Sequence, residues 1–95
     1  EEIINLINKP NIKYSIQVLT NENYENTLLK LDEIILKNLS NISKNDFFIV
    51  TSKNNLGNEF FLLYKNFKLR DDAYNFCIEN VNFIQNCVIV NVQNL

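Results

Sequence analysis

The chain has no histidine, no methionine and no tryptophan, and it carries one glycine, one proline and two cysteines in 95 residues. Each scarcity removes a class of function. Without histidine there is no Ser/His or Cys/His couple for nucleophilic catalysis. Nor is there an imidazole to complete a metal set with Cys77 and Cys87, which also lack the C-x-x-C spacing. A single glycine, Gly57, cannot build a glycine-rich phosphate loop. Strong basic charge is absent too. The net charge is −2 and the Lys and Arg residues, 9 in all, are scattered, so no basic face is expected to displace counterions from nucleic-acid phosphates. No apolar run approaches the roughly 20 residues that span a bilayer, and the opening EEIINLI is too short and too acidic for a signal peptide. The lack of methionine reads residue 1 as internal to a longer protein, with targeting or anchoring segments outside this chain. The excess of asparagine, isoleucine and lysine reads as the bias of an AT-rich genome.

What is present suits one small folded domain. Apolar residues make up 46% of the chain and aromatics 12%, enough for a core and against low-complexity disorder. Residues 1–12 form a lead-in, short helical or extended, interrupted by Pro10. Residues 13–95 form the domain proper. KYSIQVLT (Lys13 to Thr20) alternates, with Tyr14, Ile16 and Val18 on one face and Ser15, Gln17 and Leu19 on the other. A helix follows, which Asn21 or Asn23 can cap and whose start Glu22 and Glu25 suit. Its stripe is Tyr24, Leu28, Leu31, Ile35 and Leu39, with Lys37 near the end. DFFIVTS (Asp46 to Ser52) is a second strand, and KNNLGN turns through Gly57, which is free to adopt positive φ. EFFLLYKNF (Glu59 to Phe67) is the third strand of the resulting hairpin. LRDDAYNFCIENV is a second helix with Asp71 and Asp72 in its first turn and an inner stripe of Ala73, Phe76, Cys77 and Asn80. CVIVNVQNL is the last strand. Cys77 and Cys87 read either as small apolar residues or as a disulfide pair formed in an oxidising compartment.

The order β-α-β-β-α-β predicts an α+β sandwich, ferredoxin/RNP-like, with a four-stranded antiparallel sheet and two helices packed on one face. The other face is where function is expected. Catalysis is not expected, and neither is a metal or cofactor. Asp71 and Asp72 are neighbours on a helix, point about 100° apart and suit its dipole, while Asp32, Glu33 and Glu79 belong to solvated faces. The candidate ligand-binding residues are Ser15, Gln17, Leu19 and Thr20 of the first strand and Phe60, Phe61, Leu63 and Lys65 of the third. The third strand does not alternate. Either Phe60, Leu62 and Tyr64 or Phe61 and Leu63 must look away from the helices, and the break at Lys65-Asn66 leaves the choice open.

KYSIQVLT followed by NYENTLLKL resembles the opening of a SPOR (sporulation-related repeat) domain, an aromatic and an alternating strand with a central glutamine before a helix. EFFLLYKNFKLRDDA resembles the second signature of that family, in which alternating hydrophobics and a turn precede an aromatic and an acidic pair before alanine. The resemblance covers residues 13–93 and departs where the family carries a glycine at the end of the third strand, here Lys65 or Asn66. It implies a non-catalytic peptidoglycan-binding module on the periplasmic or cell-envelope side of a bacterium, in a membrane-anchored parent protein of the division septum. The implied ligand is a glycan strand stripped of its stem peptides and laid across the open sheet face. Gln17 carries over most directly. On that reading apolar side chains cover sugar C–H faces, Ser15 and Gln17 bond acetamide and hydroxyl groups, and Lys65 meets the lactyl carboxylate of muramic acid. A protein–protein interaction or oligomerisation domain of an envelope, division or secretion assembly would use the same apolar face. An RNA-recognition motif shares the strand order and would stack bases on Tyr14, Phe60 and Phe61. The acidic balance and the missing glycine-aromatic signature argue against nucleic acid.

Overall fold

A computed structural model describes residues 6–7, 13–38, 42–54, 57–80 and 86–95. Its strands are β1 (Leu6–Ile7), β2 (Tyr14–Asn21), β3 (Phe47–Asn54), β4 (Gly57–Phe67) and β5 (Val88–Asn91), and its helices α1 (Tyr24–Lys37) and α2 (Arg70–Asn80). Short 3-10 turns occupy Lys44–Asp46 and Val92–Asn94. Leu39, the connection at 81–85, the hairpin tip at 55–56 and the lead-in around Pro10 lie outside the described residues.

β3, β4, β2 and β5 form a four-stranded antiparallel sheet in that spatial order, and β1 adds a parallel edge beside β3. The expected β-α-β-β-α-β order is therefore present. The extra strand comes from the lead-in, with Leu6 opposite Ile49 and Ile7 opposite Val50. α1 joins β2 to β3 across the intervening β4, and α2 joins β4 to β5 across β2. One core cluster contains Ile16, Phe47, Ile49, Leu62 and Tyr64 from the sheet with Leu31 of α1 and Cys77 of α2. A second contains Val50, Leu63 and Val92, flanked by Phe48, Phe61, Val90 and Leu95, and draws on neither helix among the described residues. Both helices thus lie on one side of the sheet.

Local chemistry sets the element ends. Asn23 is extended and its Oδ1 accepts the Asn26 N–H at 3.0 Å, which settles the cap of α1. Asn21 instead accepts the Asn23 N–H at 2.8 Å. Thr27 is buried on the inner stripe because its hydroxyl is satisfied by the Asn23 carbonyl at 2.9 Å. In α2, Ala73 and Cys77 are buried, but Asn80 is exposed and donates to the Phe76 carbonyl. The last strand is shorter than its sequence suggests. Pairing with β2 ends at Tyr14 opposite Asn91, whose side chain accepts the Gln93 N–H at 3.1 Å and starts a 3-10 turn.

Of the two readings of the cysteines, the structure contains the disulfide Cys77–Cys87. It ties α2 to the residue before β5, and bonds of this kind persist in oxidising, extracytoplasmic compartments. No described helix is long and apolar enough to cross a membrane.

Candidate functional site

Two irregularities in the β2–β4 ladder decide which side chains reach the open face. Gln17 stands opposite Leu63 but Leu19 stands opposite Leu62, so Val18 is an extra residue on β2. Val18 and Leu19 then both pack toward the helix-side cluster, while Thr20, opposite Phe61, is exposed on the other side. Nearer the start of β2, Tyr14 pairs with Phe67 and Ile16 with Tyr64, so the surplus falls on β4 at Lys65-Asn66.

Lys65 has φ +63°, the left-handed conformation that glycine adopts freely and other L-residues adopt at about 1–2 kcal/mol. The surroundings offset the strain. The buried Ser15 hydroxyl donates to the Tyr64 carbonyl at 3.2 Å and also lies against the Lys65 carbonyl. The Lys13 N–H donates to Asn66 Oδ1 at 3.0 Å. The Lys65 ammonium pairs with Asp46 at 3.3 Å and stands 5.5 Å from the Tyr64 ring centroid and 5.4 Å from that of Phe76. Burial, then the Asp46 carboxylate, raises the Tyr64 hydroxyl above its ordinary pKa of 10.0.

The eight candidate residues therefore separate into three groups. Gln17, Thr20 and Phe61 share the open face and retain accessible surface. Ser15 and Leu63 belong to that side by register but are 0% exposed, so they offer nothing to a ligand in this conformation. Leu19, Phe60 and Lys65 turn toward the helices: Leu19 and Phe60 join the helix-side cluster, and Phe60 tilts against Tyr24 of α1 at 5.7 Å. Strict alternation placed Leu19 outward, and the bulge at Val18 reverses it. Lys65 is held by Asp46 and Phe76 rather than presented on the sheet.

Register adds residues that the sequence pattern did not single out. Phe48 pairs with Leu63, Val50 with Phe61 and Ser52 with Glu59, while Val90 pairs with Ser15 and Val88 with Gln17. Their even-numbered alternation in β3 and β5 was the available signal. The face thus has an apolar centre of Phe48, Val50, Phe61 and Leu63, edged by Gln17, Thr20, Ser52 and Glu59. Among these, Glu59 alone is charged. The turn Val92–Leu95 packs over part of the same centre, with Val92 fully buried.

The chain matches no protein-family model, and neither a curated protein nor a solved structure is significantly similar to it. The reading of the site therefore rests on its own chemistry. Among the described residues no three His, Cys, Asp or Glu side chains come together as metal ligands. The half-buried rings of Phe48 and Phe61, with amide, hydroxyl and carboxylate groups at their border, can hold a flat, largely neutral, hydrogen-bonding ligand.

Proposed function

We propose that the chain is a non-catalytic binding module that holds a peptidoglycan glycan strand, freed of stem peptides, against the open face of its sheet. The observation that carries this reading is that half-buried Phe48 and Phe61 share with Gln17 and Thr20 a face that neither helix covers. Aromatic and aliphatic groups suit the C–H side of N-acetylhexosamine rings, and a glutamine can both donate to and accept from an acetamide. The strand order, the resemblance to SPOR domains and the Cys77–Cys87 disulfide, which suits the bacterial periplasm, all support the reading. The contact set is narrower than the sequence suggests and centres on Gln17, Thr20, Phe48 and Phe61. With its ammonium paired to Asp46, Lys65 is not offered to the lactyl carboxylates of the strand.

A protein partner is the second reading, favoured by Val88, which is 43% exposed at the start of edge strand β5 beside the same face. Co-sedimentation with amidase-treated sacculi separates the two. Wild-type protein is expected in the pellet, with retention reduced several-fold by Phe61→Ala and by Gln17→Ala at unchanged circular dichroism. Wild-type protein that stays in the supernatant at every sacculus concentration would overturn the glycan reading. A concentration-dependent dimer lost in Val88→Lys would then support the protein one.

A further inference from the structure

The open face is not bare. Where β5 ends, Asn91 caps the turn Val92–Asn94, and the chain folds back so that Val92 and Leu95 join Val50, Leu63, Phe48, Phe61 and Val90 in one apolar cluster. These include the two rings proposed to hold the sugar strand. Val92 is 0% exposed, so its side chain fills space that a ligand reaching Val50 and Leu63 would need. The segment is not a sheet strand. It is shaped by local bonds, Gln93 N–H to Asn91 Oδ1 at 3.1 Å and Leu95 N–H to the Val92 carbonyl at 3.2 Å. It meets the sheet through the Val92 N–H, which donates to the Lys13 carbonyl at 2.8 Å. Gln93 and Asn94 are exposed, so its outer side faces solvent.

We propose that Val92–Leu95 is a strap that competes with the ligand for the apolar centre of the open face, an inference that rests on the glycan reading for the identity of the competitor. With the strap down, the binding-competent fraction is small, and apparent affinity is reduced by that fraction. Asn91 is the hinge, because the turn begins at its side-chain cap. The apolar packing of Val92 and Leu95 is part of what holds the strap down, so removing those two side chains shifts the population toward the open form while Gln17, Thr20 and Phe61 keep their own side chains.

The test is the chain carrying Val92→Ser and Leu95→Ser, with circular dichroism to establish folding. Two readouts are used: fluorescence of the hydrophobic dye ANS, and retention on amidase-treated sacculi. A folded variant with increased ANS fluorescence and about tenfold higher retention is expected, as the competent fraction rises. Unchanged retention beside a wild-type chain that binds would overturn the strap and leave the glycan reading standing. If neither protein is retained, the glycan reading fails, and ANS decides the strap: a gain supports a removable cover, and no gain overturns it. Should the double variant not fold, Leu95→Ser alone is measured the same way, since Leu95 is only half-buried.

Discussion

At the scale of single residues, Ser15 shows how a side chain that looks like a ligand contact becomes structural. Its hydroxyl serves two carbonyls of the β4 bulge, and it has no exposed surface. Ser15→Ala leaves those acceptors without their donor and is expected to lower unfolding free energy by about 1–3 kcal/mol, measured by urea denaturation. Tyr64 gives a pH signature. Its folded pKa is raised, so above pH 10.0 the unfolded chain loses the phenolic proton more readily than the native one. The unfolded state then binds fewer protons, and stability falls with rising pH in that range while remaining unaffected below it. Denaturation curves from pH 8 to 11 should show this fall, and Tyr64→Phe should flatten it. An unchanged slope in the phenylalanine variant would mean that another group is responsible.

At the scale of elements, the bulge and the disulfide carry most of the information that sequence alone does not. Lys65 sits in left-handed backbone, which β-branched residues tolerate worst. Lys65→Ile is expected to destabilise the domain by about 2 kcal/mol or more, through the strain and the lost Asp46 pair. Lys65→Gly should stay within about 1 kcal/mol of wild type, because the relieved strain offsets the lost contacts. Similar losses in both variants would show that the contacts rather than the backbone set the requirement. The disulfide closes a short loop at a sequence separation of 10, so its reduction should lower stability by about 2–3 kcal/mol. The four strands and two helices of residues 13–95 were legible, because alternation and a capping asparagine before a helical stripe are local signals, whereas the pairing of Leu6–Ile7 with β3 is not. Facing was less so. Alternation and register agree on the face of Gln17, but Val18 and Lys65-Asn66 insert extra residues that exist only relative to a partner strand, and each changes the parity of the residues beyond it. The end of β5 was missed for a related reason: VNVQNL continues the strand-like composition, while the stop comes from the end of β2 and the Asn91 cap. The Cys77–Cys87 pairing depends on where α2 docks, which spacing does not encode.

For the whole molecule, the apolar run of β4 now has an explanation. Phe60, Leu62 and Tyr64 meet the helices, while Phe61 and Leu63 belong to a second, smaller cluster under the Val92–Leu95 turn. The chain thus covers part of its own second face and leaves Gln17 and Thr20 beside that cover, with Phe61 half-buried against it. The exposed large apolar residues of the helix layer, Leu29, Leu36, Leu69, Tyr74 and Ile78, are spread over α1, α2 and the residue before it rather than gathered on the sheet. The open face carries one carboxylate and no cation among its assigned residues, which fits a ligand recognised by shape and hydrogen bonds better than a polyanion. The most direct test of this account is sedimentation of the intact chain with sacculi whose stem peptides have been removed, beside untreated sacculi. The account predicts saturable retention on the stripped glycan, weaker retention on the untreated material, and loss on Phe61→Ala in a protein that remains folded. Equal retention of wild type and Phe61→Ala, or none of either, would contradict it.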